Sequence, residues 1–179
     1  MKTNMTAALC GLSFLAGCAT QSAGTAPAIP ENLRATAAET LSLQTKATGV
    51  QIYECGAAAN DPTRFQWNFK APEADLFDAN GKRIGRHYAG PTWESNDGSK
   101  VVGAVKARND ALDANAIPWL LLSSKSTAGS GDFGRTSSIQ RVSTVGGTAP
   151  TEACSQSKAG KVARVDYEAI YYFYVQKAQ

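Results

Sequence analysis

The sequence has only one histidine, His87, and it lacks the short motifs that mark common catalytic and metal sites. It contains no Walker pattern, no H-E-x-x-H and no C-x-x-C. Zinc and copper sites in proteins are usually built from two or more histidine or cysteine ligands. The composition gives no grounds for a transition-metal site, and we predict neither a metal nor a cofactor.

An excess of charge is also lacking, because the formal net charge is only +3 at pH 7. No run of basic residues is interleaved with aromatic residues, as is common in nucleic-acid-binding surfaces. A charge this small produces little long-range attraction to nucleic acids or acidic membranes. We therefore predict no nucleic-acid partner.

The glycine pattern G-x-G-x-x-G occurs once, at Gly129, Gly131 and Gly134. In dinucleotide-binding folds this pattern follows a strand and opens a helix. Residues 135–145 are instead rich in serine and threonine and alternate like a strand. The required helix is missing, and we interpret residues 123–134 as a long loop.

The first seventeen residues have the pattern of an export signal. Lys2 supplies a positive charge, and the apolar run after it is too short for a permanent membrane span. The run ends at Leu15-Ala16-Gly17-Cys18, which resembles the lipobox of bacterial lipoproteins. This resemblance implies cleavage before Cys18 and a lipid attached to that cysteine, which would anchor the protein to a membrane. An ordinary signal peptide, cut near Ala16 or Ala19, is the alternative.

Residues 18–48 are predicted to be a tether and a lead-in to the folded domain. Ala19, rather than aspartate, follows the lipobox cysteine, and by the bacterial sorting pattern this favours the outer membrane, facing the periplasm. Residues 19–28 are small, uncharged and without periodicity, which is typical of a flexible linker. Residues 29–48 are compatible with either a short helix or a strand.

The cysteines point to one disulfide. Cys10 would be lost with the signal and Cys18 would carry lipid, which leaves Cys55 and Cys154 in an oxidising compartment. A bond between them would close a loop of about 100 residues, for which the chain-entropy model gives roughly 4.7 kcal/mol. A free catalytic thiol with His87 as its base is the alternative.

Residues 49–179 predict a single all-β domain. Val50–Cys55, Phe65–Phe69 and Ile139–Val145 alternate between the two sides of a strand. Asn80-Gly81 and Asp97-Gly98 are strong hairpin signals. About eight or nine short strands with frequent turns and no long amphipathic helix favour an antiparallel β-sandwich or β-barrel.

The segment between the two hairpin turns contains both His87 and Trp93. The turns would place these two residues on adjoining strands, separated by the Gly90-Pro91 break. We predict a ligand site made of His87, Tyr88 and Trp93.

A catalytic version of this site is the alternative. His87 would then act as a general base, and Glu94 or Asp97 would orient its imidazole. A histidine with no function beyond its place in a strand also remains compatible with the sequence.

Several motifs occur in a fixed order along residues 49–175. They are Gly49–Cys55, Gly85–Glu94, Asp97–Ser99, Ile117–Leu121, Ile139–Val142, Thr144–Gly147, Pro150, Cys154 and Tyr171–Tyr174. This set resembles the DUF3455 family, a domain of unknown function in exported bacterial and secreted fungal proteins. Some fungal members carry a malate dehydrogenase label, which the glycine pattern of this chain does not support. The resemblance implies no catalytic residues, but it includes the motif around His87.

These observations predict a lipid-anchored protein of the cell envelope that binds a small molecule or a glycan. Two alternatives remain. One is an exported lyase, isomerase or hydrolase that uses His87 as its base, and the other is a purely structural envelope protein.

Overall fold

The computed structural model describes residues 28–178, which form one all-β domain. Its eight strands, β1 to β8, are Glu39–Ala58, Asp61–Phe77, Arg83–Tyr88, Thr92–Ser95, Lys100–Asn109, Trp119–Ala128, Thr136–Gly146 and Val162–Gln176. Two short 3-10 helices, Glu31–Leu33 and Gln156–Lys158, precede β1 and β8. The described range has no helix with the length and apolar character needed to cross a membrane. The predicted signal segment, the predicted lipidation site Cys18 and residues 19–27 of the tether lie outside the described residues.

The strands form a closed antiparallel barrel, which settles the choice between sandwich and barrel. Each strand pairs with the next one in the sequence, and β1 also pairs with β8. This last pairing extends from Glu39 opposite Gln176 to Glu54 opposite Val162. Residues 29–48, which the sequence left open between helix and strand, contain the first 3-10 helix and the first half of β1.

One end of the barrel is filled by the connection between β6 and β7. Phe133 in this connection is completely buried, and its ring packs against Phe173 with centroids 4.5 Å apart. Its backbone N–H donates to the hydroxyl of Ser99 at 3.0 Å. A side chain at Gly131 would collide with the carboxylate of Asp97, so this glycine is needed for close packing rather than for phosphate binding.

The prediction of a long loop over residues 123–134 was wrong. Strand β6 continues to Ala128 because it stays paired with β5, as far as Ala128 opposite Lys100. The connection is therefore confined to residues 129–135. Strand β7 follows it directly, as the alternating pattern predicted.

The outer face of the barrel carries a second, smaller apolar cluster. Leu33 from the first 3-10 helix is completely buried there, against Trp119, Leu121 and Val142. The neighbouring Leu122 faces the interior of the barrel. The apolar first half of β6, Trp119–Leu122, is consequently covered on both sides.

The predicted disulfide between Cys55 and Cys154 is confirmed, with Cα atoms 5.5 Å apart. It attaches the connection between β7 and β8 to strand β1. The indole N–H of Trp67 on β2 donates to the carbonyl of Glu152 at 2.8 Å, close to the same attachment. The disulfide rules out the alternative of a free catalytic thiol at either cysteine.

Candidate functional site

The barrel end opposite Phe133 opens into a cavity of about 600 Å³. The cavity lies inside the ring of strands, below the turn at Gly90-Pro91 and the connection between β5 and β6. Its walls are mainly apolar or aromatic, with a few polar and basic groups. They are formed by Gln51, Tyr53, Phe69, Lys70, Pro72, His87, Gly90, Pro91, Trp93, Val105, Arg108, Ile117, Pro118, Leu120, Leu122, Arg141 and Tyr171.

His87 and Trp93 form the aromatic centre of this cavity. The register of β3 and β4 places them directly opposite each other, and their rings stack with centroids 4.2 Å apart. The ring of Tyr171 on β8 packs edge-on against both, at 5.3 Å from each centroid. The predicted juxtaposition of His87 and Trp93 on adjoining strands is therefore confirmed.

The hydrogen bonding of His87 defines what its ring can do. Nδ1 lies 2.9 Å from the carbonyl oxygen of Thr92. A carbonyl can only accept, so in the neutral ring Nδ1 carries the proton and Nε2 is an acceptor. Within residues 28–178, no partner is present for Nε2. The ring is thus oriented by the backbone and presents one acceptor atom.

Burial governs the charge of His87. The side chain is 2% exposed, and burial lowers its pKa from 6.5 to about 3. The nearby positive charge of Arg141 acts in the same direction on this pKa, whereas the bond to Thr92 opposes it. His87 is therefore neutral at pH 7, and its imidazole is a much weaker base than a free histidine.

Tyr88 and Glu94 lie outside the cavity, on the outer face of the barrel. Neighbouring residues of a strand face opposite sides, so both point away from His87 and Trp93. The hydroxyl of Tyr88 donates to the carboxylate of Glu94 at 2.8 Å, and Arg86 donates to it at the same distance. These bonds, that of Tyr88 first, lower the pKa of Glu94 to about 2.

Asp97 lies at the closed end of the barrel. Its carboxylate accepts hydrogen bonds from the backbone N–H groups of Ser99 at 2.7 Å and Asp132 at 2.8 Å. Hydrogen bonds from Ser99 and Asp132 hold the pKa of Asp97 below its usual value. The structure thus brings neither Asp97 nor Glu94 to His87, and the carbonyl of Thr92 takes the orienting role expected of them.

Several buried polar groups around the cavity were not predicted. The amide nitrogen of Gln51, the indole nitrogen of Trp93 and the hydroxyls of Tyr167 and Tyr171 have no hydrogen-bond partner in the described part of the chain. Burial raises the pKa of both tyrosines, so their hydroxyls stay protonated and can donate. By contrast, the hydroxyl of Tyr53 is satisfied by the carbonyl of Gly147 at 2.6 Å.

Arg141 was also missed. It lies on β7, opposite Leu120 of β6 and Tyr171 of β8, and it lines the cavity. Its sequence signal is its position two residues after Ile139, which faces the apolar interior. Gln51 has a similar signal, since it lies on the same side of β1 as the buried residues Tyr53 and Cys55. In both strands the signal is a polar residue on a side that also carries buried apolar residues.

The comparisons with known proteins identify a family. A family described as "Protein of unknown function (DUF3455)" matches residues 36–175. The chain belongs to the DUF3455 family. This confirms the resemblance found over residues 49–175 and extends it to include the whole of β1. No curated protein and no solved structure matches the chain.

Within this DUF3455 domain, the family motif around His87 contributes to both sides of the barrel wall. His87 and Trp93 face the cavity, whereas Arg86, Tyr88 and Glu94 form a hydrogen-bonded group outside.

Proposed function

We propose that this protein is a binding module that holds one small molecule in the open end of its barrel. The observation that carries this proposal is a cavity of about 600 Å³ with apolar walls and buried polar atoms that lack partners. Small-molecule sites typically have volumes of about 300–1,000 Å³ and a few placed polar groups. Barrels of eight strands are wide enough to hold one small ligand.

The unpaired polar atoms favour a ligand over an empty space. Leaving a buried donor without a partner costs about 1–3 kcal/mol. The amide of Gln51, the indole of Trp93 and the hydroxyl of Tyr171 all belong to residues that line the cavity. A ligand that accepts hydrogen bonds from them would offset this cost, and its apolar part would cover the stacked rings of His87 and Trp93.

Binding is favoured over catalysis because of the state of His87. A general base works best when its pKa is near the working pH. Burial lowers the pKa of His87 to about 3, and no carboxylate of the described chain contacts its ring. The Nε2 atom is better suited to accept a hydrogen bond from a ligand than to remove a proton.

A cavity-blocking variant tests this proposal. Val105 lines the cavity but is 59% exposed, so Val105→Trp should narrow the opening without disturbing the core. Leu112→Trp is the matched control, because Leu112 is 88% exposed and does not line the cavity. A panel of aromatic compounds, aliphatic compounds and oligosaccharides would be screened by thermal shift and then by calorimetry.

We expect at least one class of compound to stabilise the wild type and Leu112→Trp but not Val105→Trp. Equal binding to Val105→Trp would place the ligand elsewhere and overturn the proposal. The absence of any binding across the panel would favour the structural alternative.

We also propose that the domain is anchored by lipid in the bacterial cell envelope, at the outer membrane and facing the periplasm. The support is the sequence Leu15-Ala16-Gly17-Cys18 and the alanine that follows it. Mass spectrometry of the mature protein should find an acylated Cys18 at its N-terminus. An unmodified N-terminus at another residue would overturn the anchor without affecting the binding proposal.

A further inference from the structure

The cavity has an imbalance of charge that indicates the class of its ligand. Three basic residues, Lys70, Arg108 and Arg141, line it, and no aspartate or glutamate does so within residues 28–178. Lys70 pairs with Glu54 at 3.2 Å, and Arg108 lies 3.8 Å from Asp110. Both of these pairs are exposed, and in each the acidic partner partly neutralises the basic charge. Arg141 differs from them, because it has no acidic partner in the described part of the chain.

The guanidinium of Arg141 is held in a fixed position by the backbone. Its Nε and Nη2 atoms both donate to the carbonyl oxygen of Pro118, at 3.1 and 2.9 Å. An arginine has five N–H donors arranged in a planar fork. The bonds to Pro118 use one edge of the fork, which leaves the Nη1 and Nη2 edge for another acceptor. Two parallel donors of this kind match the geometry of a carboxylate.

The other polar groups of the cavity are also mainly donors. The amide nitrogen of Gln51, the indole N–H of Trp93 and the hydroxyl of Tyr171 are buried and unpaired. Tyr171 lies directly opposite Arg141 in the pairing of β7 with β8. A site with an excess of donors and one unpaired cation is complementary to an anion with several acceptor atoms.

The remaining walls restrict what can be attached to that anion. Phe69, Leu120 and Ile117 are apolar, and His87 and Trp93 present stacked rings. A strongly hydrated or highly charged ligand would lose its water against these surfaces without compensation. We infer that the ligand of this cavity is a carboxylate with an apolar body, and that Arg141 binds the carboxylate. This inference rests on the proposed function.

Pairs of probes that differ only in charge test this inference without any mutation. Decanoate would be compared with decanol and decylamine, and cinnamate with cinnamyl alcohol, by calorimetry on the wild-type protein. Hydrogen bonds to a charged group predict that a carboxylate binds about 10- to 100-fold more tightly than its alcohol. The two pairs also distinguish an aliphatic from an aromatic body.

Variants of Arg141 then test whether its guanidinium binds the carboxylate. Arg141→Gln should abolish the preference for carboxylate over alcohol, and Arg141→Lys should retain only part of it, because lysine keeps the charge but not the fork. Arg135→Gln is the matched control, since it removes the same charge from an exposed residue in the connection at the other end of the barrel. The melting temperature of each variant would be measured to test whether it is folded.

The outcomes separate the inference from the proposal on which it rests. Tighter binding of the alcohol or the amine than of the carboxylate would overturn the inference and leave the binding module intact. The same holds for a preference for carboxylate that survives in Arg141→Gln. A lack of binding by every probe would overturn the inference. The proposed function fails on its own test, either if no compound of the wider panel binds or if Val105→Trp leaves binding unchanged.

Discussion

The imidazole of His87 and the indole of Trp93 stack across β3 and β4 with an angle of 11° between their planes. Both rings are buried, so the histidine has to be neutral in the folded barrel. Burial lowers its pKa from 6.5 to about 3. Between these two values the unfolded chain binds a proton that the folded chain does not bind. Stability should therefore decrease as the pH falls through this interval.

We predict that His87→Phe removes this dependence on pH. Linkage gives a loss of roughly 1.5 kcal/mol in the unfolding free energy of the wild type between pH 6.5 and about 5. Phenylalanine keeps a ring beside Trp93 but cannot titrate, and the chain has no other histidine. Urea unfolding at the two pH values would measure the effect. An equal loss in wild type and variant would show that another group is responsible.

Phe133 should be a major contributor to stability. It is completely buried against Phe173, and replacement of such a ring by alanine typically costs about 3–5 kcal/mol. We expect Phe133→Ala to lower the unfolding free energy by an amount in this range, as measured by denaturant titration. Leu112→Ala, at an exposed position, serves as the control and should have little effect. A small effect of Phe133→Ala would mean that the closed end of the barrel collapses into the cavity left by the missing ring.

The disulfide should stabilise the domain through its long loop. Cys55 and Cys154 are separated by 99 residues. Loss of a native disulfide from a small exported domain typically costs about 2–5 kcal/mol. We expect the Cys55→Ser, Cys154→Ser double variant to be destabilised by an amount in this range and to be cleaved faster in residues 147–161 by a protease. Unchanged stability and cleavage would show that hydrogen bonds alone hold the connection between β7 and β8 in place.

Glu94→Gln should leave ligand binding unchanged. Glu94 contacts Tyr88 and Arg86 on the outer face, whereas the cavity lies on the other side of the wall. Calorimetry with the tightest-binding compound of the panel would compare this variant with the wild type. A clear loss of affinity, without a change in melting temperature, would require the ligand to bind outside the barrel.

The sequence was sufficient to predict much of the fold. Alternating residues and hairpin turns located most of the strands, and the turns on either side of His87 placed it beside Trp93. The serine-rich half of β6 was not predictable in this way, because β-propensity depends on pairing partners that are distant in the sequence. Closure of the barrel by β1 and β8 is a long-range contact of the same kind.

The candidate site was predicted only in part. Tyr88 could have been excluded from the sequence alone, since it follows His87 in a strand and must face the other side. Arg141 and Gln51 were overlooked because polar residues in alternating strands usually face solvent. Their inward direction depends on which side of each strand the closed barrel encloses, and this is set by all eight strands together.

The pairing of Glu39 with Gln176 joins the two ends of the sheet, so every strand has a neighbour on both sides. In a chain that lacks Val162–Gln176, the backbone N–H and C=O groups of β1 and β7 that pair with β8 would have no partners. Exposed strands of this length are templates for pairing with other molecules. Incomplete synthesis or cleavage before β8 would thus convert a closed barrel into a chain that is prone to aggregate.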